Sequence, residues 1–306
     1  MIKKVLAIIV THDRKELLNE CINALISQSY PCDILIIDND STDGTKDLVF
    51  QNYVNNDKIT YCRLDENIGG AGGYNFGLKE ACKYDYDYFW LMDDDCIVGN
   101  DSLEKLIEAD KSLSGDWGFL SSKVLWTDGT PCKTNVQRRK VARKINDFTS
   151  PLVKVDYASF VSLLIKKEDV LILGLPIKDF FIWSDDLEYT RRFTIKNNEN
   201  FRYSAKSGYL VNDSIVTHKC KENIGINIAI DSPDRIDRYK YIYRNDVYTF
   251  KKEGLRGILF LIIRFFYHTF KILLSGKNVE HKLSIMVKGH IDGINYNPSI
   301  EYAEKI

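Results

Sequence analysis

The sequence predicts an α/β fold, a mostly parallel sheet flanked by helices. Three observations predict it. Short apolar runs recur through about residue 125, segments of helical period lie between them, and chemistry-bearing polar residues gather just after each run. The first run, Val5-Leu6-Ala7-Ile8-Ile9-Val10, is followed by Arg14 to Ser29, where Leu17, Leu18, Cys21, Leu25 and Ile26 fall on one helical face. The second, Ile34-Leu35-Ile36-Ile37, precedes a helix opened by Asp43-Gly44-Thr45. Ile59-Thr60-Tyr61-Cys62 and Tyr88-Phe89-Trp90-Leu91-Met92 are the third and fourth strands. Trp126 to Pro151, carrying Gln137-Arg138-Arg139-Lys140, is expected to be a long loop or flap over a substrate. Tyr157 to Ile165 returns as a strand, and a helix is expected from about Leu187 to Ile195. From roughly Ser232 the pattern is helical, which divides the chain into residues 1–225 and a helical appendage, 226–306.

Composition limits the function. A chain of 306 residues with 44% hydrophobic and 28% charged residues and only 6 prolines is ordinary globular protein. Lys+Arg of 42 against Asp+Glu of 43 leaves no basic field for nucleic acid. The 7 cysteines are odd in number and scattered, with no C-x-x-C pair, so neither zinc nor a disulfide framework is expected. No segment is expected to span a bilayer, and a cytoplasmic protein is expected, attached at most to the inner face of the membrane. Leu255 to Leu274 is apolar but interrupted. Arg264, His268 and Lys271 share one helical face opposite Ile262, Phe265, Phe266 and Leu273, which predicts an amphipathic helix with a basic stripe. Membrane contact, packing on the core and homo-oligomer contact are all compatible with it.

In an open parallel sheet, ligands sit beyond the carboxyl ends of the strands. Asp93-Asp94-Asp95 follow the fourth strand, and three adjacent ionised carboxylates need a cation to offset their repulsion. Alternate residues face the same way, so Asp93 and Asp95 suit one Mg2+ or Mn2+ while Asp94 faces another ligand, the donor or acceptor sugar. A solvated acidic turn is the alternative. The glycines of Asn67-Ile68-Gly69-Gly70-Ala71-Gly72-Gly73-Tyr74-Asn75 permit close approach of backbone N–H groups to a phosphate or sugar, with Gly69, Gly70 and Asn75 as candidates, or simply make a tight loop. Asp185, Asp186 and Glu188 follow Trp183 before the helix. One carboxylate can cap that helix while another serves as general base, and Trp183, Asp185 and Glu188 are also candidates for sugar contact. His218, after an apolar strand, is either structural or a third ligand to the Asp93–Asp95 pair.

These motifs, in this order from Lys4 to about His218, resemble the family 2 glycosyltransferases of the GT-A fold. NIGGAGGYN, LMDDD and WSDDLE resemble most the galactofuranosyltransferases. The resemblance implies an inverting transferase that takes galactofuranose from UDP-galactofuranose to a hydroxyl of a glycan or lipid-linked glycan in cell-surface polysaccharide synthesis. It implies that Thr11, Arg14, Asp38, Asn39 and Asn67 line the nucleotide pocket, that Asp93, Asp95 and His218 hold the metal, and that Asp186 is the base. Two departures limit the transfer. The chain lacks the long N-terminal β domain and much of the C-terminal region of the large mycobacterial polymerases, and Ser184 stands between Trp183 and the acid pair. A rhamnosyltransferase using dTDP-rhamnose competes on the donor alone. A nucleotidyltransferase would place a glycine-rich basic loop after its first strand, where Thr11-His12-Asp13-Arg14 stands instead. A non-catalytic carbohydrate-binding scaffold would be expected to have damaged acidic motifs, and these are intact.

Overall fold

The computed structural model describes residues 2–141, 143–195 and 203–304. Strands β1 (Val5–Thr11), β2 (Asp33–Asp38), β3 (Ile59–Arg63) and β4 (Tyr88–Asp93) form the parallel half of one sheet. The crossovers are α1 (Lys15–Ile26), α2 (Thr45–Tyr53) and α3 (Gly69–Ala81). Every residue of β1 is buried, as expected of a strand covered on both faces. The mixed half is built from β5 (Cys96–Val98), β6 (Phe119–Leu125), β9 (Leu152–Val155), β10 (Leu163–Lys166) and β11 (Gly208–His218). The sheet order is β3-β2-β1-β4-β10-β6-β11-β5, with β9 pairing against β11. α4 (Ser102–Ser112) packs on β11 and β6, α5 (Lys167–Leu173) follows β10, and α6 (Asp185–Thr194) lies between α5 and β11 in the chain.

Three expectations change in detail. The segment expected as one strand from Tyr157 to Ile165 is a strand only at β10. Before it the chain turns, with Ser162 at φ 56° and its hydroxyl against Trp90 Nε1 and Ser122 Oγ. The expected loop at 126–151 contains a small hairpin, β7 (Arg138–Lys140) with β8 (Arg143–Lys144), and Gln137 is buried with its amide on Ser121 and Ser122. The glycine stretch is not a loop but the first turns of α3, because that helix lies close on β1. A Cβ at Gly73 would fall 2.5 Å from Val10 Cγ1, and one at Gly69 2.1 Å from the Phe181 carbonyl oxygen. Gly69 also has φ 77°, which suits glycine alone at low cost.

From Pro233 to Ile294 the chain is mostly helical. α7 (Tyr239–Lys251) is the central member, burying Tyr239, Ile242, Tyr243, Tyr248 and Phe250. α8 (Leu255–Ser275) and α9 (Val279–Ile294) pack beside it. The predicted basic stripe on α8 is overturned. Arg264 is paired with Asp246 of α7, and His268 is buried against the Tyr243 hydroxyl at 2.8 Å, where burial drives its pKa down to about 3 and keeps it neutral. The apolar face is the one turned outward: Ile263, Phe266 and Leu274 are each 67% exposed. At 21 residues, with an 18-residue stretch of mean hydropathy 1.7, α8 is long and apolar enough to cross a membrane, contrary to the sequence-based expectation. Its Arg264 anchors it to the protein instead.

Candidate functional site

The register of the parallel half brings the carboxyl ends to one edge. Thr11 pairs with Asp38, and Val10 with Asp93, so the residues that end β1, β2 and β4 stand side by side. Asp94 and Asp95 make the turn from β4 into β5. β5 then pairs antiparallel with β11, placing His218 opposite Cys96, and the Lys219 N–H donates to the Asp95 carbonyl at 2.9 Å. That ladder brings a histidine more than a hundred residues away to the acidic turn.

Ligand atoms of Asp93, Asp95, Cys96 and His218 lie within 4.8 Å of one another. The Tyr74 hydroxyl donates to Asp93 Oδ1 at 2.7 Å. Asp94 is buried, with one oxygen accepting from Thr11 Oγ1 at 2.8 Å and the other from Arg14 Nη1 at 3.1 Å; burial still raises its pKa to about 7. Arg14 Nη1 also reaches Asp95 Oδ2 at 2.7 Å while its side chain stays half exposed. His218 Nδ1 lies 2.8 Å from Asn135 Oδ1, and the proton that Asn135 can accept there leaves Nε2 as a lone pair facing Asp95. Nε2 stands 3.0 Å from Asp95 Oδ1, yet that buried oxygen has no aligned hydrogen-bond donor among the described residues. Without a cation between them, the imidazole must take a proton. Burial disfavours that charge, but the adjacent Asp95 outweighs it and lifts the pKa to about 10. Two carboxylates, one of them with an orphaned buried oxygen, and an imidazole nitrogen fit a hard divalent ion. The thiol of Cys96 is the poorest donor of the group for such an ion.

The second acidic motif opens α6. Phe181, Trp183 and Ser184 have φ of 65°, 66° and 65°, a concentration of left-handed non-glycine backbone that persists only where surroundings impose it. They do so from α7: Asn245 Nδ2 donates to the carbonyls of Phe180, Ile182 and Trp183, and the Ser184 hydroxyl donates to Asp246 Oδ1 at 2.6 Å. From the other side, the Ala71 N–H in the first turn of α3 donates to the Phe181 carbonyl at 3.1 Å. The turn thus delivers Asp185 and Asp186 to the same edge as Asp93. Burial, and then the charge of Asp186, push the Asp185 carboxyl well above its usual range. Burial also lifts Asp186 to about 7, against the pull of the Leu187 N–H at 2.7 Å.

Several predicted site residues have protein partners instead of open groups. Glu188, expected at the sugar, is buried in an ion pair with Arg192 and a second with Lys252 at 3.3 Å. Asn75, expected at the nucleotide, is buried with its amide on the Pro176 carbonyl at 2.8 Å. Asp38 is buried, accepting from the Ser41 N–H and Tyr61 hydroxyl, and Asn39 pins the Ile68–Gly69 backbone. Asn67 caps the Gly69 N–H at 2.9 Å from an exposed position. Gly70 has open space where a Cβ would stand. Trp183 packs on Tyr239 with Arg235 over its ring. Tyr74, Asn135, Asn245 and Asp246 were not foreseen. Tyr74 stands inside the glycine stretch, but the other three carry no local signal.

The sheet and its flanking helices form a GT-A fold. Among solved structures the chain is similar to GalNAc-T7 with UDP, GalNAc and Mn2+, at TM-score 0.61 and 14% identity over 94% of this chain and 54% of that one. It is also similar to S. aureus TarS 1-349, at TM-score 0.52 and 16% identity over 94% and 72%. The family described as glycosyl transferase family 2 matches residues 6–114. Galactofuranosyltransferase GlfT1 of Mycolicibacterium smegmatis is 27% identical over 266 residues, 83% of this chain and 85% of that protein. Both likenesses support a family 2 glycosyltransferase, galactofuranosyltransferase-like.

Proposed function

We propose that this enzyme is an inverting transferase that moves galactofuranose from UDP-galactofuranose to a hydroxyl of a glycan or lipid-linked glycan in cell-surface polysaccharide synthesis. The observation that carries the reading is the meeting, at one sheet edge, of the Asp93–Asp95–His218 donor set with Asp186 at the start of α6. The likeness to the mycobacterial enzyme over most of the chain supports the donor. Residues 1–225 are the catalytic part in this reading, and 226–306 brace it.

Asp93, Asp95 and His218 would hold Mn2+ or Mg2+, which when bound offsets charge on the departing diphosphate. Arg14, half exposed beside them, is assigned to the same diphosphate. Asn67 and Gly70 are assigned to the nucleotide, and Trp183 and Asp185 to the sugars. Asp186 accepts the acceptor hydroxyl's proton as that oxygen bonds to the anomeric carbon. The bond from that carbon to the UDP oxygen breaks on the opposite face, which inverts the configuration. Incubation with Mn2+ and a panel of UDP- and dTDP-sugars tests the donor. UDP release from UDP-galactofuranose alone, abolished by EDTA, is expected. Selective dTDP release overturns the donor, and release from no donor overturns the transferase reading.

The outward face of α8 is assigned to an anionic bilayer surface, where a lipid-linked acceptor would be met. Ile263, Phe266, Phe270 and Leu274 form an exposed row far more apolar than ordinary protein surface, and residues 255–279 contain no Asp or Glu. Exposed Arg256 and Lys277 stand near the two ends of the helix, as in helices lying flat in anionic headgroups. Flotation with phosphatidylglycerol vesicles is expected for the wild type and expected to be lost in Phe266→Ser/Phe270→Ser. Equal flotation of both, or a dimer that consumes this face, overturns the assignment.

A further inference from the structure

Cys132 and Cys220 are scattered in sequence but meet in the fold. Their sulfurs are 3.9 Å apart, and Cys132 Sγ is 3.7 Å from His218 Nδ1. The three donor atoms all lie within 4.8 Å of one another. Metal–sulfur and metal–nitrogen bonds of ~2.3 and ~2.05 Å at tetrahedral angles require edges of about 3.8 Å for S···S and about 3.6 Å for S···N. The two edges observed match these lengths to about 0.1 Å. The segments are stitched together independently of any ion. The Cys132 N–H donates to the Val124 carbonyl at 2.9 Å, Trp126 Nε1 to the Cys220 carbonyl at 2.9 Å, and the Lys133 N–H to Asn223 Oδ1 at 2.7 Å. Cys132 is fully buried, whereas Cys220 is partly exposed. A cavity of about 990 Å3 is lined by Lys133 and Lys221, the residues that follow Cys132 and Cys220 in the chain.

We propose that Cys132 Sγ, Cys220 Sγ and His218 Nδ1 form a second metal site, selective for a borderline or soft divalent cation such as Zn2+ and completed by a solvent molecule. Thiolates prefer such ions, whereas the carboxylates on the other side of the imidazole prefer hard ones. Binding releases the two thiol protons and the Nδ1 proton of the imidazolium to solvent, and the ion takes the freed Nδ1 lone pair. The remaining imidazole proton then resides on Nε2, which stands 3.0 Å from the Asp95 carboxylate. Nε2 is thereby lost to the ion at Asp93 and Asp95. One histidine thus serves either of two metals through its two nitrogens, with Asn135 favouring the Nδ1–H form that leaves Nε2 to the hard ion. Only this consequence for turnover rests on the proposed transferase reading; the binding does not.

The test uses the full chain under reducing conditions with Co2+ as probe. A thiolate-to-cobalt charge-transfer absorption is expected in the wild type and in Asp93→Asn, displaced by one equivalent of Zn2+. It is expected to be lost in Cys220→Ser, a change at a partly exposed position that spares the buried thiol. Zinc affinity should weaken at least roughly tenfold in that variant. Absence of the band in folded wild type, or a band of equal intensity in Cys220→Ser, overturns the site. If the site binds, inhibition of Mn2+-supported UDP release by Zn2+ in the wild type, relieved in Cys220→Ser, is the expected kinetic sign. Inhibition that is identical in both overturns the shared-histidine step.

Discussion

Asp186→Asn is expected to lower kcat by ~10² to 10⁴-fold while leaving the Kd for UDP unchanged, the range that a positioned general base supplies. Asparagine keeps the shape and retains an oxygen for the Leu187 N–H, which lies at 2.7 Å, so the start of α6 should survive the change. What it loses is the lone pair able to take a proton. Burial holds the Asp186 carboxyl at about 7, so its proton leaves only as the pH climbs through that value. The base form therefore grows with pH, and kcat of the wild type should rise through about pH 7 and then level. In the variant that limb should vanish. Asp185 provides the contrast. Burial and the neighbouring Asp186 charge push it well above the carboxylate range, which favours its neutral form and makes it the poorer base of the two. Asp185→Asn should therefore cost far less. Isothermal titration of UDP beside steady-state kinetics separates the two outcomes, and retention of most of the wild-type kcat in Asp186→Asn removes that residue from the role.

Much of residues 1–225 was legible because the signals there are local. The four apolar runs became β1 to β4, the helix expected over Arg14 to Ser29 became α1, and the acidic turn fell at the end of β4 as its position implied. Other features depend on partners distant in sequence. The glycines looked like a loop because their reason lies elsewhere, in Val10 and the Phe181 carbonyl. Glu188 looked available because Arg192 and Lys252 close over it only in the fold. Cys132 and Cys220 looked unrelated because the β5–β11 ladder and the stitched loops, not spacing, bring them to His218. On α8 the period correctly separated an apolar face from a polar one, but a period does not say which face is turned inward. Charged residues are rarely buried unless paired, and the period does not reveal a partner. The pairing partner was on another helix.

That partner makes Arg264 the site of the other large effect, now on stability. Arg264→Ala leaves Asp246 buried without its counter-charge, and breaking a buried pair in this way typically costs ~3 to 5 kcal/mol. The midpoint of thermal unfolding should drop by on the order of 10 °C for a chain of this size. Asp246→Asn in the same chain should recover much of the loss, because the uncompensated charge is gone while an amide oxygen remains for the Ser184 hydroxyl. Activity should not recover in parallel. Asp246 and Asn245 hold the left-handed backbone at Trp183 and Ser184, so weakening that clamp lets Asp186 drift from the attacking hydroxyl. Kinetics on the double variant should therefore show a reduced kcat at near-normal stability. If Arg264→Ala unfolds at the wild-type temperature, the pair contributes nothing and α8 is held by its packing alone. If the double variant regains full kcat as well as stability, the clamp on the acidic turn is independent of the Asp246 charge.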